Sequence, residues 1–352
     1  MTHKQRVLAS LSHAQPDRVP WDYWAVTEVT ERLLRELALP EKDALLCFLD
    51  VDFRYAVGPT AGGEALGAEG EGLVQDCWGV VRRKVAVGSG GSRWAYSHVD
   101  SSPLEQMTSV SEIENYTHWP SPDGLDYASI TAQCDAARDY AVVFGGDRLD
   151  RAAQLKPMMY LRGMEQTYMD LKDNPAIVEW VLEHITGYYL EYNRRVFEAA
   201  ADKIDIFLMG DDFGTQKGLM LSIEDWRKYF RGGFHNYIEL AHQFGLKVMH
   251  HTCGAVRELI PEFIDAGLDI LQSLQPRARG MDLAGLKKEF GKDICFHGGI
   301  DIQEVLPRAD PQGVREHVKR QLEAGKPGGG YIACTAHNLQ PDVPTRNVIA
   351  VF

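Results

Sequence analysis

The sequence predicts an α/β protein folded as a (βα)8 TIM barrel, on three observations. Eight apolar runs of strand length recur along the chain, at 19–24, 47–53, 141–144, 204–209, 246–252, 268–271, 293–297 and 330–334. Amphipathic helical segments lie between several of them, most clearly at 223–244 and 255–266, and such alternation calls for parallel strands joined by crossover helices. A length of 352 residues accommodates one large barrel.

At the start, Thr2-His3-Lys4-Gln5 has capping-box spacing, and Val7, Leu8 and Leu11 follow at helical intervals. This predicts an N-terminal helical extension, ended by Pro16 and Pro20. The same polar start has no apolar signal-peptide core, so a cytoplasmic protein is expected. The Gly-rich stretch 58–91 breaks the alternation and contains a strand-like 82–87, an excursion on one barrel loop. Its Gly67, Gly70 and Gly72 lack the spacing of a dinucleotide fingerprint, and no Gly-Lys-Ser/Thr follows. No repeat, low-complexity block or linker divides the chain, so 1–352 is read as a single domain.

Composition excludes several functions. Hydrophobic residues at 45% and charged residues at 25% describe a globular chain rather than a disordered or fibrous one. Fifty acidic against 37 basic residues give a net charge of −13, which repels phosphate backbones and acidic lipid surfaces. No apolar run approaches the ~20 residues needed to span a bilayer. A small molecule or another protein is the expected partner. The six cysteines (47, 77, 134, 253, 295 and 334) are scattered, predicting free thiols, some of them available to a metal.

The run from Leu246 to Gly254 carries the clearest chemistry. Side chains alternate across a strand, so His251 and Cys253 share a side at the strand's C-terminal end, where barrel enzymes place their sites. Imidazole and thiolate together suit zinc, and a catalytic zinc takes three protein ligands. The last strand offers two candidates for the third, His337 and Cys334. Equally, His251 is readable as a hydrogen-bonding residue of the barrel mouth and Cys253 as a small packing group. Carboxylates gather at other strand ends: Asp50 and Asp52, Asp211 and Asp212, and Asp301. Each has an alternative as a helix cap, which fits Asp301 best. Together they are placed to orient a ligand or move a proton. Tyr160 and Arg162 are candidates for holding a substrate anion.

These residues resemble the uroporphyrinogen decarboxylase superfamily. The resemblance is carried by Pro16-Asp17-Arg18-Val19-Pro20, the run from Gly210 to Gln216, His251-Thr252-Cys253-Gly254, the turn from Phe296 to Asp301, and the ending from His337 to Pro344. It implies a (βα)8 barrel and one of two chemistries: cofactor-free decarboxylation of a porphyrinogen, or zinc-dependent methyl transfer with a corrinoid. True decarboxylases follow the opening proline with an Arg-Gln-Ala-Gly-Arg-Tyr segment that grips substrate carboxylates. Here Trp21-Asp22-Tyr23-Trp24 stands instead, and an acidic chain without those arginines is poorly suited to an octacarboxylate. The decarboxylase's pyrrole-binding aspartate corresponds to Asp50 or Asp52.

The resemblance therefore implies a methyltransferase holding zinc through His251, Cys253 and His337, with Cys334 the alternative third ligand. Asp212 and Asp52 are the catalytic candidates. Asp50, Tyr160, Arg162, Asp211 and Asp301 are the substrate-binding candidates. The chain contains no Asp-x-His-x-x-Gly element, so the corrinoid is expected on a partner protein, with a small methyl donor or acceptor as substrate. A homodimer is compatible with the resemblance. The rival readings are a metal-free decarboxylase and a non-catalytic binding barrel.

Overall fold

The computed structural model describes residues 1–59, 64–66, 72–87, 94–145 and 151–352. Seven strands form one parallel sheet: β1 (Phe53–Ala56), β6 (Ala141–Phe144), β7 (Ile206–Gly210), β8 (Lys247–His251), β9 (Ile270–Leu274), β10 (Cys295–Ile300) and β11 (Tyr331–Thr335), in that spatial order. Nearly every residue in them is buried, as expected of parallel strands covered on both faces. The two faces separate by alternation. Val142, Phe144, Phe207, Met209 and Val248 pack outward with the helices. Phe53, Val143, Leu208, Met249, Ile270, Cys295 and Ile332, one or more from each strand, meet in a single inner cluster, so the sheet is curled round it.

The segment predicted as a strand at 19–24 reaches both open edges of this sheet without forming a named strand. Trp21 bridges Ala333 of β11 in parallel, with Asp22 N–H on the Ala333 carbonyl and Ala333 N–H on that of Pro20, each at 2.9 Å. On the other side, Asp52 N–H donates to the Trp21 carbonyl at 2.9 Å.

The predicted strand at 47–53 is corrected. Residues Lys42–Phe48 form a helix that buries Leu45 and Leu46, and the strand begins only at Phe53. A short apolar run fits either element by pattern, and packing decided it. Asp50 and Asp52 therefore precede β1 and stand at the N-terminal end of the sheet. The excursion is likewise more structured than expected. It is a four-stranded antiparallel sheet of β2 (Glu64–Leu66), β3 (Leu73–Gln75), β4 (Val81–Val87) and β5 (Trp94–Ser101), which extends past residue 91. Gly67, Gly70 and Gly91 lie outside the described residues.

Helix α1 (His3–Leu11) has the predicted box: Gln5 N–H donates to Thr2 Oγ1 at 3.2 Å, and Thr2 N–H to Gln5 Oε1 at 3.0 Å. Val7 and Leu11 join the inner cluster, so α1 packs into the curled sheet. The helix predicted at 223–244 is present but interrupted by a wider, π-type turn over Trp226–Phe230, whose Trp226 and Phe230 are buried. All six cysteines are free thiols. No helix among the described residues is long and apolar enough to cross a membrane.

Asp52 anchors α1. Fully buried, it accepts from Arg6 Nη1 at 2.7 Å, His3 Nδ1 at 2.8 Å, Arg18 Nη1 at 2.7 Å and Trp21 N–H at 2.8 Å. Exposed Asp50 pairs with Arg18 at 2.8 Å. Removing one partner of a buried ion network leaves uncompensated charge, so Asp52→Ala is expected to cost about 3–5 kcal/mol in denaturant titration. The same variant should leave metal content unchanged; a loss of metal at full stability would return Asp52 to the site.

Candidate metal centre

The register of β8 builds the centre. His251, the last residue of β8, pairs with Gly210 of β7 on one side and Gln272 of β9 on the other. Gly210 is required here, because a Cβ would stand 2.8 Å from that of His251. On the other side, His251 Nδ1–H donates to Gln272 Oε1 at 2.6 Å, which leaves the Nε2 lone pair unprotonated. Burial, followed by the charge of Arg151, holds the imidazole neutral, its pKa well below the ordinary histidine value. The Trp24 ring lies flat on it, with centroids 5.5 Å apart at 14°. His250, one residue earlier, turns the opposite way and packs among Phe213, Phe234 and Phe263, where burial lowers its pKa to about 3.

Cys253 Sγ lies 3.5 Å from His251 Nε2. One ligand atom each from His251, Cys253 and His337 falls within 4.8 Å of the others. Cys334 is not in this group; it lies with Asp22 and His297. Two imidazoles and a thiol are a zinc-type donor set, and the orientation of His251 is that of a ligand held by its second nitrogen, so these residues fit the ion. Burial, followed by Asp212, pushes the Cys253 thiol up to about 12, so it is protonated until a cation displaces the proton.

The two aspartates after β7 have separate tasks. Asp211 Oδ2 accepts from the N–H groups of Gln154 (2.8 Å) and Leu155 (2.6 Å), and Oδ1 from that of Lys156 (2.8 Å). It thus holds the N-terminus of the helix Leu155–Arg162. Burial pushes its carboxyl up to about 6 against those bonds. Asp212 turns toward the centre. Its Oδ1 accepts from Cys253 N–H at 3.0 Å and lies 3.8 Å from His251 Nε2, while Oδ2 pairs with Lys156 Nζ at 2.5 Å. Burial opposes its ionisation, but the Lys156 ammonium, with the Cys253 N–H bond, outweighs burial and holds it below the carboxylate range. Likewise, burial opposes the Lys156 charge, yet Asp212 and Tyr160 raise its pKa.

These loops touch backbone to backbone. Gly254 has φ +85°, and a Cβ on it would stand 2.4 Å from the Gly214 carbonyl carbon. Cys253 and Gly214 line two cavities. One, of about 610 Å3, is walled by Lys156, Met159, Tyr160, Asp212 and residues of β4 and β5. The other, of about 470 Å3, is walled by His337, Gln275, Asp301 and Gln340.

The remaining candidates divide. Tyr160 lines the larger cavity, with the Arg82 guanidinium 4.4 Å over its ring. Asp301 lines the smaller one while its Oδ1 accepts from Gln303 N–H at 2.7 Å and Glu304 N–H at 3.2 Å; it closes the turn ahead of the helix Val305–Arg308, whose N-cap is Glu304 rather than the expected Asp301. Arg162 is not brought to the centre: it is buried, paired with Asp170 at 2.6 Å and bonded to the Leu104 and Met107 carbonyls. Asp50 and Asp52 are at the opposite end of the sheet. Sequence reasoning missed Lys156, Gln272 and Trp24. The strand pairing that brings Gln272 beside His251 leaves no local sequence signal, and Lys156 meets Asp212 only through tertiary packing.

A sequence model described as uroporphyrinogen decarboxylase (URO-D) matches residues 153–352, more than half of the chain. The chain belongs to this family. Within the family, a uroporphyrinogen decarboxylase of Geotalea uraniireducens is 27% identical over 180 residues, covering 50% of this chain and 47% of that protein. The match thus spans about half the length of the curated relative. Among solved structures, a methyltransferase from Methanosarcina mazei superposes with a TM-score of 0.66 at 15% identity, covering 100% of this chain and 97% of that one, which shows a shared fold.

Two outcomes are expected. Gln272→Leu releases the Nδ1–H of His251 and should weaken zinc binding by about 10–100-fold in competition with a chelator. Asp211→Ala removes three backbone bonds and should cost about 2 kcal/mol or more in denaturant titration.

Proposed function

We propose that this URO-D family member is a zinc-dependent methyltransferase of a corrinoid system. The observation that carries this reading is the convergence of His251, Cys253 and His337 at the C-terminal end of β8, beside an ionised Lys156–Asp212 pair and two cavities. The fold shared with the Methanosarcina methyltransferase supports it. We read 1–352 as one barrel domain in which segment 20–25 serves as the eighth, closing stave between β11 and β1.

Zinc bound by His251, Cys253 and His337 would supply a Lewis acid that keeps a substrate's heteroatom anionic. The chain's own residues do the rest. Gln272 fixes the His251 tautomer, and Trp24 covers the imidazole face against water. Asp212 orients the Cys253 loop through its N–H. Lys156, whose ammonium is sustained by Asp212, donates a proton to a departing oxygen or nitrogen, or neutralises an incoming thiolate. The substrate is a small methyl donor or acceptor held in the cavities beside Tyr160 and Asp301, and the corrinoid arrives on a partner protein over the mouth.

The decarboxylase reading draws on the family's name and on the Geotalea relative. It loses support here because Asp50 and Asp52 stand at the wrong end of the sheet for its acid.

Elemental analysis of protein purified without chelator tests the proposal. Wild type should hold an equivalent of zinc that Cys253→Ser and His337→Ala each remove and Cys334→Ser leaves at this centre. Methyl transfer between methylcobalamin and a panel of thiols and methylated substrates should disappear with it. Lys156→Met should keep the zinc and slow transfer by roughly 10²–10⁴-fold. Carbon dioxide release from a porphyrinogen by metal-free protein would overturn the reading.

A further inference from the structure

A barrel interior fills with branched aliphatic side chains. This one departs from that pattern at one place. Asp22 from the 20–25 segment, Tyr55 of β1, His297 of β10 and Cys334 of β11 meet there, and Asp22, His297 and Cys334 are at most 1% exposed. Asp22 Oδ2 accepts from Tyr55 Oη–H at 2.6 Å and His297 Nε2–H at 2.8 Å, while Oδ1 accepts from Tyr23 N–H at 2.7 Å. The Trp24 ring touches both clusters, lying flat on His251 and edge-on to His297 at 6.4 Å. None of the chemistry proposed above uses these residues.

Two features of the cluster are unresolved by hydrogen bonding alone. Among the described residues the ion pair recorded for Asp22 is with His297, and an imidazole is charged only when protonated. A carboxylate withdrawn from water beside a neutral imidazole is uncompensated, which is costly. Protonating His297 repairs the charge but buries an N–H with no acceptor, because Nδ1 has no hydrogen-bond partner. A divalent cation held on Nδ1 would balance the charge, occupy the nitrogen that has no hydrogen-bond partner and leave Nε2–H on Asp22: carboxylate, thiolate and neutral imidazole together carry two negative charges. One ligand atom from each of Asp22, His297 and Cys334 already lies within 4.8 Å of the others.

We propose that Asp22, His297 and Cys334 form a second divalent-metal site, suited by its mixed oxygen, nitrogen and sulfur donors to zinc, inside the barrel and separate from the His251 centre. The three ligands come from β10, β11 and the segment that joins the sheet's edges, so the ion ties that segment to the last two strands. Its task is structural, since the residues are closed to solvent.

Metal counting on the full chain, purified without chelator, tests this. Two equivalents of zinc are expected in wild type, one in Cys253→Ser, one in Cys334→Ser and none in the double variant. Because a core variant can fail to fold, the Cys253→Ser chain, stripped and reloaded with cobalt(II), gives an independent reading. It should show thiolate-to-cobalt charge transfer although the first centre has lost its sulfur, and Cys334→Ser added to it should abolish the band. A single equivalent lost with Cys253→Ser, and no cobalt–thiolate band in that variant, would overturn the second site and leave the methyltransferase reading standing. A single equivalent lost only with Cys334→Ser would do the reverse.

Discussion

The parallel register across β7, β8, β9 and β10 is the constraint on which the centre depends. It sets Gly210, His251, Gln272 and His297 at one level of the sheet, each beside the next. Gly210 supplies the space, Gln272 the hydrogen bond that fixes the His251 tautomer, and His297 the start of the inner polar cluster. A register shift of one residue would turn each of these side chains to the other face. The geometry of the candidate centre is thus a property of backbone pairing before it is one of ligand type.

The buried Asp52 network and the candidate centre occupy opposite ends of this sheet. At the N-terminal end, Arg6, Arg18 and His3 converge on Asp52 and dock α1. At the C-terminal end, Lys156 and Asp212 sustain each other's ionisation, and Cys253 stays protonated until a cation arrives. Between them, Asp211 spends its charge on a helix N-terminus and thereby places Lys156, which sits in that first turn. Two adjacent aspartates so serve one site, one by building it and one by entering it.

The URO-D match covers residues 153–352 and hence His251, Cys253, Gln272, Lys156, Asp212, His297 and His337. Trp24, Asp22 and the β4–β5 wall of the larger cavity come from the part before it. The ring on His251 and one wall of the cavity are therefore supplied by the segment outside the family match.

What the sequence determined by itself was local. Alternation along one strand put His251 and Cys253 on one side and His250 on the other, and capping chemistry located α1, because both depend on neighbours a few residues apart. The apolar run at 47–53 was ambiguous for the same reason: a half-helix and a strand look alike over seven residues, and only packing against the core chose the helix, moving Asp50 and Asp52 to the far end. The places of Cys334 and His337 likewise waited on tertiary structure. Cys334 is held within β11 beside Asp22 and His297, whereas His337 lies past the strand end, where the chain can turn toward β8. Spacing in sequence fixes which face a residue takes on its own element; which residues from different elements share a point in space is decided by strand register and by how closely two loops can approach, as Gly214 and Gly254 do here.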